Sequence, residues 1–111
     1  MNNKTLKQIN KLLKRGLSLD GIGVNNWAFS KESALNILDR FEELQVTILG
    51  GDVLELINGN IQHNYDNWYC NKLPDETDIE FARRSIIVAR EYIKKYYIND
   101  VSKILFCFVL E

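Results

Sequence analysis

Apolar residues along positions 4–15 recur at helical spacing. Leu6, Ile9 and Leu13 stand three and four positions apart, five basic residues fill the remainder, and Gly16 suits the C′ position. The connection that follows, LSLDGIGVNNWAF (17–29), is too rich in turn formers to predict a regular element. Ser30 reads as the N-cap of a second helix to about Leu44. Ala34, Leu38 and Phe41, beside Leu35, Ile37 and Leu44, form its apolar side.

At Val46 the period shortens. VTIL (46–49) is a β-branched run, Gly50-Gly51 interrupts it and VLELI (53–57) follows. The Gly-Gly step predicts a tight turn or a bulge that re-aims the chain between strands. Asn58-Gly59 is the strongest hairpin signal in the chain, because a two-residue type I′ turn needs positive φ at both central positions. The return strand begins near Ile61 and runs on into YDNWYC (65–70). On a regular strand Ile61, His63, Tyr65, Asn67 and Tyr69 share one face, and Gln62, Asn64, Asp66, Trp68 and Cys70 the other. Both faces are mixed, so neither is a plain core face.

Thr77-Asp-Ile-Glu80 is a capping box opening a third helix to about Tyr96. Its stripe Ile79, Ala82, Ile86, Ala89, Ile93, Tyr96 is widened by Phe81, Val88 and Tyr92, which suits packing on a sheet. ILFCFVL (104–110) is continuously apolar and predicts a central strand covered on both faces, with Cys107 an inert core residue. The predicted order is ααβββαβ. That describes an α+β fold, a small and mostly antiparallel sheet packed by helices, with residues 1–111 forming one domain.

Composition narrows the class. At 111 residues, 46% apolar and 26% charged, the chain reads as an ordinary globular domain. No window reaches the ~20 apolar residues of a membrane span, and MNNKTLKQINKLLKRG has no signal-peptide core. Two cysteines make no disulfide framework, so a cytoplasmic, reducing location is expected. The net charge of −1 hides an asymmetry: +5 over residues 1–31, −9 over 32–80 and +3 over 81–111. Such blocks either coat wet faces or steer a basic partner toward the acidic middle.

Catalytic constellations are sparse. Cys70 with His63 and Asp52 or Asp66 would make a nucleophile site only if thiol and imidazole met. On a regular strand they lie seven positions apart, on opposite faces and ~23 Å from each other. The single His and two distant Cys match no zinc spacing, and no EF-hand order of carboxylates occurs, so no metal or cofactor is expected. Gly50-Gly51-Asp52 is no phosphate loop, lacking the required glycine pattern and carrying an anion. Nucleic acid is not an expected partner, since the aromatic hexapeptide lies in the acidic block. Trp27, Trp68, Tyr65 and Tyr69 are then either core rings with hydrogen-bonded tips or anchors of a protein interface.

GIGVNNWAFSKESAL (21–35), VTILGGDVLE (46–55) and YDNWYC (65–70) resemble segments of bacterial immunity proteins from polymorphic toxin systems, in the family numbered forty. The resemblance spans about residues 15–111 and carries over Gly23, Trp27, Gly50, Gly51, Asp52, Asp66, Asn67, Trp68 and Tyr69. The family is defined largely by its genes lying beside toxin genes, so the resemblance implies cytoplasmic neutralisation of a toxin rather than catalysis. The reading that follows is a non-enzymatic inhibitor, with no membrane partner, that occludes one cognate toxin domain. Asp52, Glu55 and Asp66 would supply charge, and Trp68 and Tyr69 would act as anchors. The rival reading is a small-ligand module or small enzyme with a pocket at the Gly-Gly-Asp turn. A convergent cavity holding Asp52, His63 and Trp68 would mark it. Oligomeric state and the toxin's chemistry are left open.

Overall fold

The computed structural model describes residues 3–100 and 103–111. Among these residues three helices, α1 (Asn3–Leu13), α2 (Lys31–Glu43) and α3 (Asp78–Lys95), accompany five strands and a 3₁₀ turn at Asp20–Ile22. The strands are β1 (Leu17–Ser18), β2 (Trp27–Ala28), β3 (Ile48–Ile57), β4 (Asn60–Tyr69) and β5 (Ile104–Leu110). The α+β class holds, and the order agrees apart from two local differences described below.

The helix starts follow their side chains. The Ser33 N–H donates to Ser30 Oγ at 3.2 Å, opening α2. At α3 the Thr77 N–H donates to Glu80 Oε1 at 2.9 Å while the Glu80 N–H donates to Thr77 Oγ1 at 3.1 Å, closing the box in both directions. Each helix buries one stripe: Ala34, Ile37, Leu38 and Phe41 from α2, and Phe81, Ala82, Ile86, Ala89 and Ile93 from α3. Ile79, predicted to head the α3 stripe, is instead half exposed, as is Leu6 of α1. Ser85 ties α3 to the sheet, accepting from the Ile48 N–H at 2.9 Å and donating to the Ala82 carbonyl at 2.7 Å.

The main sheet is antiparallel in the order β4-β3-β5. Asn58 (φ 51°) and Gly59 (φ 80°) form the tight turn between β3 and β4, both in the left-handed region that this hairpin requires. Here the structure differs from the sequence reading. The runs VTIL and VLELI are not two strands, because β3 continues through Gly50-Gly51. The interruption is a bulge, with the β3–β5 register shifting between Ile48 and Gly50.

The central position also belongs to β3 rather than to ILFCFVL. β5 nonetheless buries Leu105, Phe106, Cys107 and Phe108 in succession, because both of its faces are covered. Its outer edge is closed by Phe29, which exchanges two 2.8 Å backbone bonds with Phe106. That bridge belongs to the segment 17–29, read from sequence as irregular. There β1 and β2 pair as a two-residue ribbon through Leu17↔Ala28 and Ser18↔Trp27.

The sheet thus has two differently covered faces. On the inner face Ile48, Val53, Phe106 and Phe108 pack against Phe41, Ile86 and Ile93 of the helices. On the outer face Leu54, Leu105 and Cys107 pack under Leu19, Ala28, Ile22 and Val24 of the ribbon segment. The ribbon covers only part of that face. Beyond it Leu49, Tyr69 and Val109 are exposed.

Candidate functional site

Strand β4 is irregular at one place, and that irregularity organises the site. Asp52 pairs with Asn67 and Leu54 with His63, so Asn64, Tyr65 and Asp66 all stand opposite Val53. The bulge adds two residues to β4, with Tyr65 at its apex in the left-handed region (φ 69°). Local side chains hold it. The Asp66 N–H donates to Asn64 Oδ1 at 2.9 Å, and Asn67 Nδ2 donates to the Tyr65 carbonyl at 3.2 Å.

Because the insertion is even, the alternation of faces survives it. His63 lies beside Leu54 on the outer face, whereas Cys70 meets Arg84 of α3, with Nη1 donating to Sγ at 3.3 Å. Thiol and imidazole therefore stay on opposite sides of the sheet, and the nucleophile geometry is not assembled.

The five residues singled out from the sequence fall into three places. Trp68 points inward and is only 7% exposed. Its indole stacks on Tyr92 with centroids 4.9 Å apart and meets the Phe108 ring edge-on at 6.1 Å. Trp68 is thus a core ring in this structure, and among the described residues its Nε1 has no acceptor. Register explains its placement: Trp68 pairs with Gly51, the position that leaves room for an indole between sheet and helix.

Glu55 and Asp66 come together through Tyr96 at the end of α3. The Tyr96 hydroxyl donates to Asp66 Oδ2 at 2.6 Å, while Asn64 Nδ2 donates to the Tyr96 hydroxyl at 2.9 Å and to Glu55 Oε1 at 3.4 Å. Burial first, then the Asp66 hydrogen bond, push the Tyr96 phenol up to about 12. It remains a donor across the ordinary pH range.

Asp52 and Tyr69 belong to the outer face. Asp52 is half-buried between Asn67 and Cys107, whose Sγ lies 3.9 Å from Oδ2. Burial is the main cause raising the Cys107 thiol to about 11, which keeps it protonated and unreactive. Tyr69 is 74% exposed and shares the row Tyr69–Gly50–Val109, where Gly50 supplies no side chain between its neighbours.

Tyr65, which the sequence offered as either a core ring or an interface anchor, lies at the surface. It is 84% exposed, with its ring stacked on His63 at 5.9 Å. The sequence signal for the bulge that carries it was the cluster of short amides and acids, Asn64, Asp66 and Asn67, which favour local side chain–backbone bonds over a regular ladder.

Charge is distributed unevenly as well. Five carboxylates of the acidic middle are paired within the fold: Asp39 and Glu42 with Arg90, Glu43 with Arg40, Glu76 with Arg84 and Asp78 with Lys72. Asp52, Glu55 and Asp66 have no such partner among the described residues. The uncompensated charge of the sheet therefore gathers at the β3–β4 hairpin.

Among the described residues no group of three or more His, Cys, Asp and Glu could hold a metal ion, and no helix is long and apolar enough to cross a membrane. No curated protein matches the chain. The profile of the family described as Immunity protein 40 matches residues 18–110, from the first strand of the ribbon to the last residue of β5. That span holds the three-stranded sheet, α2, α3 and every candidate residue, and the chain belongs to the Immunity protein 40 family.

Proposed function

We propose that this chain is a non-enzymatic immunity protein of the bacterial cytoplasm that binds one cognate toxin domain and neutralises it by occlusion. Its contact surface is the open part of the outer sheet face together with the hairpin edge. The observation that carries this reading is the coincidence, on β3 and β4, of exposed tyrosines with three carboxylates that have no cationic partner among the described residues. Exposed rings are the usual interface anchors, and unpaired carboxylates attract a basic partner and speed its association. Asp52 and Tyr69 act on the face itself, and Glu55 of β3 and Asp66 of β4 flank it from the inner side. Trp68 supports β4 from beneath rather than touching the toxin.

The ligand-module reading fares worse. It needs Asp52, His63 and Trp68 to converge, yet the sheet separates the indole from the other two.

The toxin domain encoded by the adjacent gene is the partner to test. Asp52→Asn combined with Asp66→Asn removes two charges while keeping shape, and the amide oxygen placed at position 66 can still accept from Tyr96. The double variant should keep its thermal midpoint, bind the toxin domain more weakly at low salt and lose much of the salt dependence. A folded double variant that binds and protects cells like the parent at both salt concentrations would rule out the acidic-face mechanism.

A further inference from the structure

We infer that Tyr65 is a preorganised anchor that receives an arginine side chain of the toxin domain; this rests on the toxin-binding reading above and specifies its chemistry. Tyr65 is a poor choice for the fold. Its φ of 69° is a conformation that Gly, Asn or Asp adopts far more readily than an aromatic residue. Its side chain gains little in return, being 84% exposed with one ring contact, to His63. A substitution to Asn would relieve the backbone at almost no loss of packing.

The surroundings nevertheless hold this apex firmly. Asn64 accepts from the Asp66 N–H, Asn67 donates to the Tyr65 carbonyl, and Tyr96 ties Asp66 to α3. A rigid, projecting ring loses little conformational freedom on binding, which is the advantage of preorganisation. Strain kept at an exposed position by a dedicated hydrogen-bond network points to a use outside the fold.

The partner chemistry follows from what lies around the ring. The rings of Tyr65 and His63 lie 28° from parallel and offer a π surface. Asp52 stands in the same row as Asn67 on the outer face, while Asp66, next in the chain, turns its carboxylate to Tyr96 on the inner side and adds only its charge. Neither carboxylate has a cationic partner among the described residues. A guanidinium suits that setting best, because its plane stacks on an aromatic face while its N–H groups reach a carboxylate.

The test compares stability with affinity for the toxin domain of the adjacent gene. Tyr65→Asn should melt at or above the parent's temperature yet bind at least tenfold more weakly, whereas Tyr65→Phe should bind within about twofold of the parent. In a double-mutant cycle, one Arg→Ala change in the toxin domain should couple to Tyr65→Asn, so that the second change adds little to the first. A folded Tyr65→Asn chain binding like the parent, or an arginine scan without coupling, overturns this inference and leaves the toxin reading standing. If Tyr65→Asn and Tyr65→Gly both unfold, the ring serves the fold and the inference is again overturned. A parent chain that does not bind the toxin domain overturns both.

Discussion

The indole of Trp68 occupies the space that a side chain at position 51 would need. A Cβ built on Gly51 falls 2.5 Å from Cζ3 of Trp68 and also meets the Cys107 carbonyl, so neither strand can yield easily. The glycine is there to admit the ring, and the ring in turn packs β4 against Tyr92 of α3. Gly51→Ala should therefore destabilise the domain by ~1–3 kcal/mol or more through overpacking. Trp68→Ala should cost ~3–5 kcal/mol by opening a cavity. Urea midpoints measure both, and a Trp68→Ala chain as stable as its parent would remove the indole from the core.

Ile86 tests the helix–sheet layer independently. It is 1% exposed, one turn of α3 before Ala89 and Arg90, within the same cluster as Phe41, Ile48 and Phe108. Ile86→Ala should destabilise by ~2–5 kcal/mol, read as a lower denaturant midpoint with an unchanged slope. Coincident midpoints would show that α3 does not seal the sheet through this residue.

Gly59 isolates backbone conformation from packing. Its φ is 80° and nothing lies within 4 Å of a Cβ placed there, so a substitution meets no steric neighbour. Gly59→Val should still cost ~1–2 kcal/mol, because a β-branched residue resists the left-handed region. A thermal midpoint equal to the parent's would refute the turn assignment.

The link between β4 and α3 should respond to acid. Glu76 receives two bonds from Arg84, at 2.7 and 2.9 Å, and one from the Leu73 N–H at 3.0 Å. The Arg84 hydrogen bonds, chiefly, hold its carboxyl at about 2, below the ordinary 4.5. A carboxylate with a depressed folded-state pKa stabilises fully above its unfolded value and loses that contribution as pH falls through the folded one. The parent's melting temperature should thus fall between about pH 4.5 and pH 2, and Glu76→Gln should flatten that part of the profile while lowering the plateau near neutrality. Parallel profiles for the two chains would show that the ion pair does not contribute.

The chemistry local to single segments was legible in the sequence. The cap at Ser30, the box at Thr77 and Glu80, and the turn at Asn58-Gly59 each depend on residues within four positions of one another, and each occurs where its residues predict it. The apolar stripe of α3 shows the same economy, since helical spacing alone brings Ala82, Ile86, Ala89 and Ile93 to one side. Together with the continuous run of β5, these features were enough for the α+β class.

Strand partners and the residues they expose were decided only by tertiary structure. ILFCFVL is apolar throughout, but it owes this to the Phe29 bridge and the ribbon, covers separated from it by more than seventy residues of chain. No local pattern separates a central strand from an edge strand covered in this way. Trp68 and Tyr69 are neighbours of similar character in the sequence, yet register sends one to the core over Gly51 and the other to solvent beside Gly50. Tyr65, read from alternation as another ring on a mixed face, is lifted out by a two-residue bulge opposite Val53. The physical reason is common to all three: a side chain's exposure in a sheet depends on what pairs with it and what lies above it, and both come from distant parts of the chain.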